Sequence, residues 1–301
     1  MTGDAQPTVG FIGLGSMGSG MTRNLQRAGY SLVVNDIRRE QADELVAGGA
    51  KWADTPAEVA ALSDLVITML PTPKHVAEVV TGPSGILAGI PDGGTWIDMS
   101  TSVPEVADGI RLANPGLRVL DAPVSGMSTG AASGTLQIFI GGDEADVVRV
   151  RPVFEAMGTP ERILHVGGHG AGYVVKLMIN QLWFSHLVAT AEVLAVGVKA
   201  GVDLGVLRDS LVASPANSTF VQRDVLSVLE HGDYDEGFAI ALACKDLGLS
   251  IDLARAVGVP TEVSALVEQV YRRARASYGD RAGEMTPMKL YEDLIERELR
   301  L

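Results

Sequence analysis

The chain is short of the residues that would place it in several common classes. It has a single cysteine, Cys244, in 301 residues. No internal disulfide can form, and a reducing compartment is the expectation. The neighbours of Cys244 are apolar, which reads as a buried structural thiol rather than a nucleophile. Positive charge is also scarce, with 24 Lys and Arg against 37 Asp and Glu and a net charge of −13. A nucleic-acid surface needs a basic patch, so nucleic acid is not an expected partner. The five histidines and the lone cysteine form no recognised metal-ligand set, and no metal is expected. The opening residues, MTGDAQP, lack the apolar core of a secretory signal. The apolar run over residues 187–198 is interrupted by Glu192 and flanked by His186 and Lys199. It reads as too short and too polar to span a membrane. The expectation is a cytoplasmic protein with no membrane partner.

What is present is a fold signature. Residues 8–12 form a short apolar strand that runs into Gly13-Leu14-Gly15-Ser16-Met17-Gly18, followed by an amphipathic helix. In a GxGxxG between strand and helix, the first glycine allows the tight turn and the second lets a pyrophosphate approach the backbone. The third lets the helix pack on the strand, and the helix start offers amide donors to phosphate. Residues 31–35 read as the next strand. Asp36 then stands 18 residues after Gly18, where an acid is expected to meet the adenosine 2′-hydroxyl. Its charge favours NAD over NADP, whereas Arg38 and Arg39 could each pair with a 2′-phosphate. Further strands are expected over residues 65–70, 94–98, 117–120, 136–140 and 163–166, with a helix over 143–157. In a doubly wound sheet, ligands bind at the loops after the carboxyl ends of such strands. Thr101 and Ser125 stand there, and helix capping is the rival role for Ser100 and Ser102.

After Gly172 the alternation stops. Helices are expected over residues 204–213, 218–231, 239–256, 261–277 and 288–301, with proline or glycine at most boundaries. The fold class is therefore α/β: a Rossmann-type doubly wound sheet over residues 1–168, then an all-helical domain over 169–301. A long apolar helix joins the two. Near its start stands Lys176, with Asn180 four residues on, which puts both side chains on one helix face. Lysine is seldom buried unless it is paired or used. The plainer alternative is that Lys176 snorkels to water. The helix is too apolar all round to face solvent, so other helices or a second subunit must cover it.

Four segments, taken in order, resemble the β-hydroxyacid dehydrogenase family, which includes 3-hydroxyisobutyrate dehydrogenase and tartronate semialdehyde reductase. VGFIGLGSMGSGMTRNL resembles the family's cofactor signature, and DAPVSGMSTGAASGTLQIFIGG its substrate segment. GGHGAGYVVKLMIN resembles its catalytic helix, and Lys245-Asp246-Leu247 its late lysine motif. The resemblance implies Lys176 as catalytic acid/base, with Asn180 orienting substrate. It implies Ser125 and the amide of Gly126 on a substrate carboxylate, with Met127 beside them. Thr101 would lie against nicotinamide and ribose, Leu70 and Pro71 would line the adenosine side, and Lys245 would reach cofactor or substrate. Met127 stands where the family usually has glycine, and Ile179 where it usually has asparagine. A homodimer or homotetramer is implied.

The expected reaction is hydride transfer between NAD, with NADP possible, and a small hydroxyacid or the matching semialdehyde. With no metal set in the sequence, acid–base work falls to Lys176, and burial of the amine would favour its neutral form. Two alternatives are an imine reductase, a group that typically lacks this lysine, and a non-catalytic dinucleotide-binding protein.

Overall fold

Short apolar runs build the first half of the chain. β1 (Val9–Ile12), β2 (Leu32–Asn35), β3 (Lys51–Trp52), β4 (Leu65–Thr68), β5 (Thr95–Asp98), β6 (Arg118–Asp121), β7 (Val124–Ser125), β8 (Leu136–Gly141) and β9 (Gly158–Gly167) form one nine-stranded sheet in this computed structural model. The structure describes residues 6–235 and 237–301, so most of the polar opening stretch lies outside the described residues. The strand order is β3-β2-β1-β4-β5-β6-β8-β7, with β9 also paired to β8. From β3 to β6 all neighbours are parallel. β8 then runs antiparallel to β6 and β7. Chain order reverses between β1 and β4, and the crevice at the carboxyl ends there is where doubly wound sheets bind ligands.

Both faces of this sheet are buried. Phe11, Val34, Ile67, Ile97 and Leu120 pack on one side, and Ile12, Val33, Val66, Trp96 and Val119 on the other. Successive strand residues point to opposite faces, so a strand covered on both sides must be apolar throughout. The short pairs Lys51–Trp52 and Val124–Ser125 carry no such run and are not expected from the sequence. β9 begins five residues earlier than its apolar core suggests, because pairing with β8 recruits the polar residues 158–162. The helices Pro56–Ala61, Pro73–Thr81 and Pro104–Ala113 each open on proline, where a missing N–H costs nothing. Thr55 and Thr72 cap two of them. Neither Ser100 nor Ser102 caps the third, whose N-cap is Val103 with no side-chain bond.

The chain divides into the units Met1–Lys176 and Leu177–Leu301. The divide falls inside the long helix Ala171–Lys199. The second unit adds the helices Leu204–Val212, Leu226–His231, Ile240–Ala256, Glu262–Tyr278 and Pro287–Ile295. Among the described residues it has no strand, only an isolated pairing of Ala239 with Gly283. A π-type turn, Phe220–Asp224, interrupts the helix expected over residues 218–231. The last helix stops at Ile295 rather than running to residue 301. Glu296 adopts φ 55°, and the Leu299 N–H and Arg300 guanidinium fold back onto Glu292 Oε1 at 2.9 and 2.8 Å.

In the long helix, Phe184, Leu187, Ala191, Leu194 and Val198 recur every three or four residues and join the core of the second unit. Leu182 and Val196, 58% and 69% exposed, lie off that stripe. The run 187–198 alone is inadequate for a membrane, yet the whole helix is long and apolar enough to cross one by length and composition. Core helices meet the same measure, and one face of this helix is core.

Candidate active site

At the switch point, the three loop glycines have three different surroundings. Gly13 has φ 99°, and a Cβ there would lie 2.3 Å from the Met69 carbonyl oxygen. A Cβ on Gly18 would lie 1.9 Å from the Gly13 carbonyl oxygen. A Cβ on Gly15 would meet nothing within 4 Å. The outer glycines thus serve the turn and the packing, and the middle one faces open space. Beyond it, Met17 begins the helix Gly18–Arg27 without a side-chain cap. This combination suits a pyrophosphate, whose oxygens would take the first-turn amides. Leu14 is buried, while Ser16 is exposed and Met17 half-buried.

Asp36 sits just past β2 with its side chain only 9% exposed. Its Oδ2 accepts from the Leu14 N–H at 2.7 Å and its Oδ1 from the Arg38 N–H at 2.8 Å. The carboxylate therefore ties the glycine loop to the end of β2. Arg39 lies over the Trp52 ring, 4.7 Å from its centroid. Past β4, the Leu70 N–H donates to Ser100 Oγ at 2.8 Å, which joins the loops after β4 and β5. Pro71 is exposed at that mouth, and Thr101 is half-buried beside Ser100.

Ser125 ends β7 and pairs with Gln137 on β8. Gly126 follows at φ 130° and Met127 at φ 58°, opening the helix Met127–Ser133. A non-glycine residue in the left-handed region costs about 1–2 kcal/mol. Met127 thus keeps a backbone turn suited to glycine while adding a side chain to it.

Lys176 is half-buried, five residues into the long helix. In the second unit, Asn180 Nδ2 donates to Asp246 Oδ2 at 2.7 Å, and Lys245 Nζ lies 2.9 Å from Asp246 Oδ1. The Asp246 side chain is 1% exposed. It holds together the asparagine and lysine that the sequence singles out, although Asp246 itself stands out there only as part of a motif.

Three further buried polar groups escape the sequence reading. Asp98 and Asp121 end β5 and β6, and Tyr173 stands in the first turn of the long helix. Burial pushes both carboxyls up, Asp121 to about 6, against the hydrogen bonds that lower them. The Tyr173 hydroxyl is raised well above its usual value, first by burial and then by the charges of Asp98 and Asp121. An acid closing an otherwise apolar strand is the signal that could have found the two aspartates. Burial likewise raises the Cys244 thiol, in keeping with a structural role. The chain's His-x-x-x-His spacing, His165 to His169, falls on and past β9 rather than on a helix. His165 Nε2 there lies 2.9 Å from the Gly142 carbonyl oxygen. Among the described residues no group of three or more His, Cys, Asp or Glu is arranged to hold a metal ion.

Fold and site together define a dinucleotide-dependent oxidoreductase. A family profile described as the NAD binding domain of 6-phosphogluconate dehydrogenase matches residues 8–168. A second, described as NAD-binding of NADP-dependent 3-hydroxyisobutyrate dehydrogenase, matches residues 170–291. The chain is 39% identical to the NAD-dependent L-serine dehydrogenase of Pseudomonas aeruginosa, over 88% of this chain and 91% of that one. It is 33% identical to the 2-(hydroxymethyl)glutarate dehydrogenase of Eubacterium barkeri, over 95% of each. Among solved structures, the Mycobacterium tuberculosis 3-hydroxyisobutyrate dehydrogenase with L-serine is similar at a TM-score of 0.87 and 30% identity, over 95% of this chain and 99% of that one. The chain belongs to the β-hydroxyacid dehydrogenase family, NAD(P)-dependent dehydrogenases that act on CH–OH groups.

Proposed function

We propose that this protein interconverts a small β- or γ-hydroxyacid and the matching semialdehyde, with Lys176 as acid/base and no metal. The observation that carries the reading is one helical turn past Lys176. There Asn180 commits its amide nitrogen to the buried Asp246, which orients its amide oxygen as an acceptor toward the bound substrate, beside the hydroxyl that Lys176 serves. In oxidation, the neutral Lys176 amine takes the hydroxyl proton. In reduction, the Lys176 ammonium returns a proton to the forming alkoxide oxygen. The nicotinamide, when bound, accepts or supplies the hydride. The Ser125 hydroxyl and the Gly126 N–H donate to the substrate carboxylate, and Met127 narrows the space beside it. Lys245, held by Asp246, serves cofactor or substrate.

Gly13, Gly15 and Gly18 take the pyrophosphate, with Leu14, Ser16 and Met17 completing the loop. Leu70, Pro71 and Thr101 line the rest of the dinucleotide. Asp36 reads the adenosine ribose and favours NAD. Both nearby arginines have other partners, Arg39 on Trp52 and Arg38 at 4.0 Å from Asp36 itself. Residues 1–168 are assigned to the cofactor and 169–301 to substrate and oligomer contacts. A homodimer or homotetramer would cover Leu182, Val196, Val263 and Leu266, all more than half exposed in the second unit. The single buried cysteine fits a cytoplasmic setting.

The test is a panel of hydroxyacids, semialdehydes and cyclic imines with NAD and NADP, with and without EDTA. Turnover of hydroxyacids with NAD, undiminished by EDTA, is expected. Ser125→Ala should raise KM for acids by about tenfold, the loss of a charge-assisted hydrogen bond. It should leave neutral aldehydes unaffected. Equal effects on both would remove the carboxylate site, and turnover of imines alone would remove the reaction.

A further inference from the structure

The start of the long helix is held by a polar network that none of these roles explains. Tyr173 stands three residues before Lys176 and is fully buried. Its hydroxyl donates to Asp98 Oδ2 at 2.7 Å. The other oxygen of Asp98 accepts from Thr68 Oγ1 at 2.7 Å, Ser100 Oγ at 2.6 Å and the Ser100 N–H at 3.2 Å. Ser100 Oγ in turn accepts from the Leu70 N–H. A second carboxylate grips the same turn. Asp121 Oδ1 accepts from the Gly170 N–H at 2.7 Å and Oδ2 from the Tyr173 N–H at 3.1 Å.

The approach is as close as backbone allows. A Cβ on Gly172 would lie 2.4 Å from the Phe139 carbonyl oxygen, and one on Gly141 2.6 Å from both Asp121 carboxylate oxygens. Two buried carboxylates are a poor choice for stability alone, since well-packed apolar residues fill such space at least as well. What they supply is direction. A hydrogen bond fixes the rotation and the height of a helix, which apolar contact does less strictly. Residues three apart share a helix side, so any turn or slide at Tyr173 moves Lys176 with it.

We propose that Asp98, Tyr173 and Asp121 are positioning residues that lock the first turn of the long helix to the ends of β5 and β6, and so fix where Lys176 stands relative to the Leu70 and Thr101 loops. This rests on the assignment of Lys176 as the proton-transfer group. A misplacement of about 1 Å at such a group can cost roughly 10²-fold in rate.

Tyr173→Phe removes one hydroxyl and keeps the shape. The expectation is a fall in kcat of about 10- to 100-fold. KM for the acid and the NADH dissociation constant, read by fluorescence, should both stay near wild type. Val150→Ala, a core truncation in the helix Glu144–Glu155, serves as the stability control and should keep its kcat although its Tm falls. Wild-type kcat in Tyr173→Phe overturns the proposal. So does an equal loss in Val150→Ala, or a matching rise in the NADH dissociation constant. If Tyr173→Phe does not fold, Ser100→Ala is judged by the same readouts. Lys176→Ala is measured alongside: if it is active, the assignment of the lysine fails and the positioning role fails with it. If it is inactive while Tyr173→Phe turns over normally, only the positioning role fails.

Discussion

Two helix starts in the sheet-bearing unit solve the same electrostatic problem in opposite ways. A helix N-terminus carries unsatisfied amides and about half a positive charge. The helix Gly18–Arg27 has no side-chain cap, and open space stands before Gly15. The helix Ala171–Lys199 has its first amides taken by the buried Asp121. The first leaves its donors for an anion that comes and goes. The second carries its own anion and keeps its place. The difference separates the two roles proposed above: an open helix start suits a phosphate, and a closed one suits a fixed mount for a side chain a turn further on.

The contrast is most strongly exposed at the open end. Gly15→Ala places a methyl in the space a phosphate would use, without touching other atoms. The NADH dissociation constant should rise by about tenfold or more, equivalent to roughly 1.4 kcal/mol, with Tm unchanged. Unchanged affinity would mean that the phosphates pass elsewhere.

At the closed end the expected effect is on stability and its pH dependence rather than on affinity. The Asp121 carboxyl is raised to about 6 by burial, so the folded protein holds that proton more tightly than the unfolded chain. The resulting stabilisation is complete below the ordinary carboxyl range, near pH 4, and is lost as pH rises through about 6. Asp121→Asn removes this contribution. The stability of wild type relative to the variant should therefore decline by a few kcal/mol between about pH 4 and pH 6, at roughly 1.4 kcal/mol for each pH unit crossed. Parallel Tm profiles for the two proteins across that window would show that Asp121 does not titrate there.

The parts legible from the sequence are those set by local pattern. The strand cores of β1, β2, β4, β5, β6 and β8 follow from apolar runs, and the glycine loop from its spacing. The long helix follows from its composition. The elements not legible owe their form to neighbours: Lys51–Trp52 and Val124–Ser125 are strands because β2 and β8 pair with them. The end at Ile295 is set by residues that turn back onto Glu292. The site divides the same way. Lys176, Asn180 and Lys245 can be picked out by residue type and motif. Asp246, Asp98, Asp121 and Tyr173 each bond at least one partner 49 to 75 residues away in sequence, a relation no local window contains.

Single-turnover kinetics of Lys176→Ala with bound NADH decide whether Lys176 moves the proton. A rate lower by roughly 10²–10⁴-fold is expected, the range for a positioned acid/base, with NADH affinity intact. A rate within a few-fold of wild type would contradict that role.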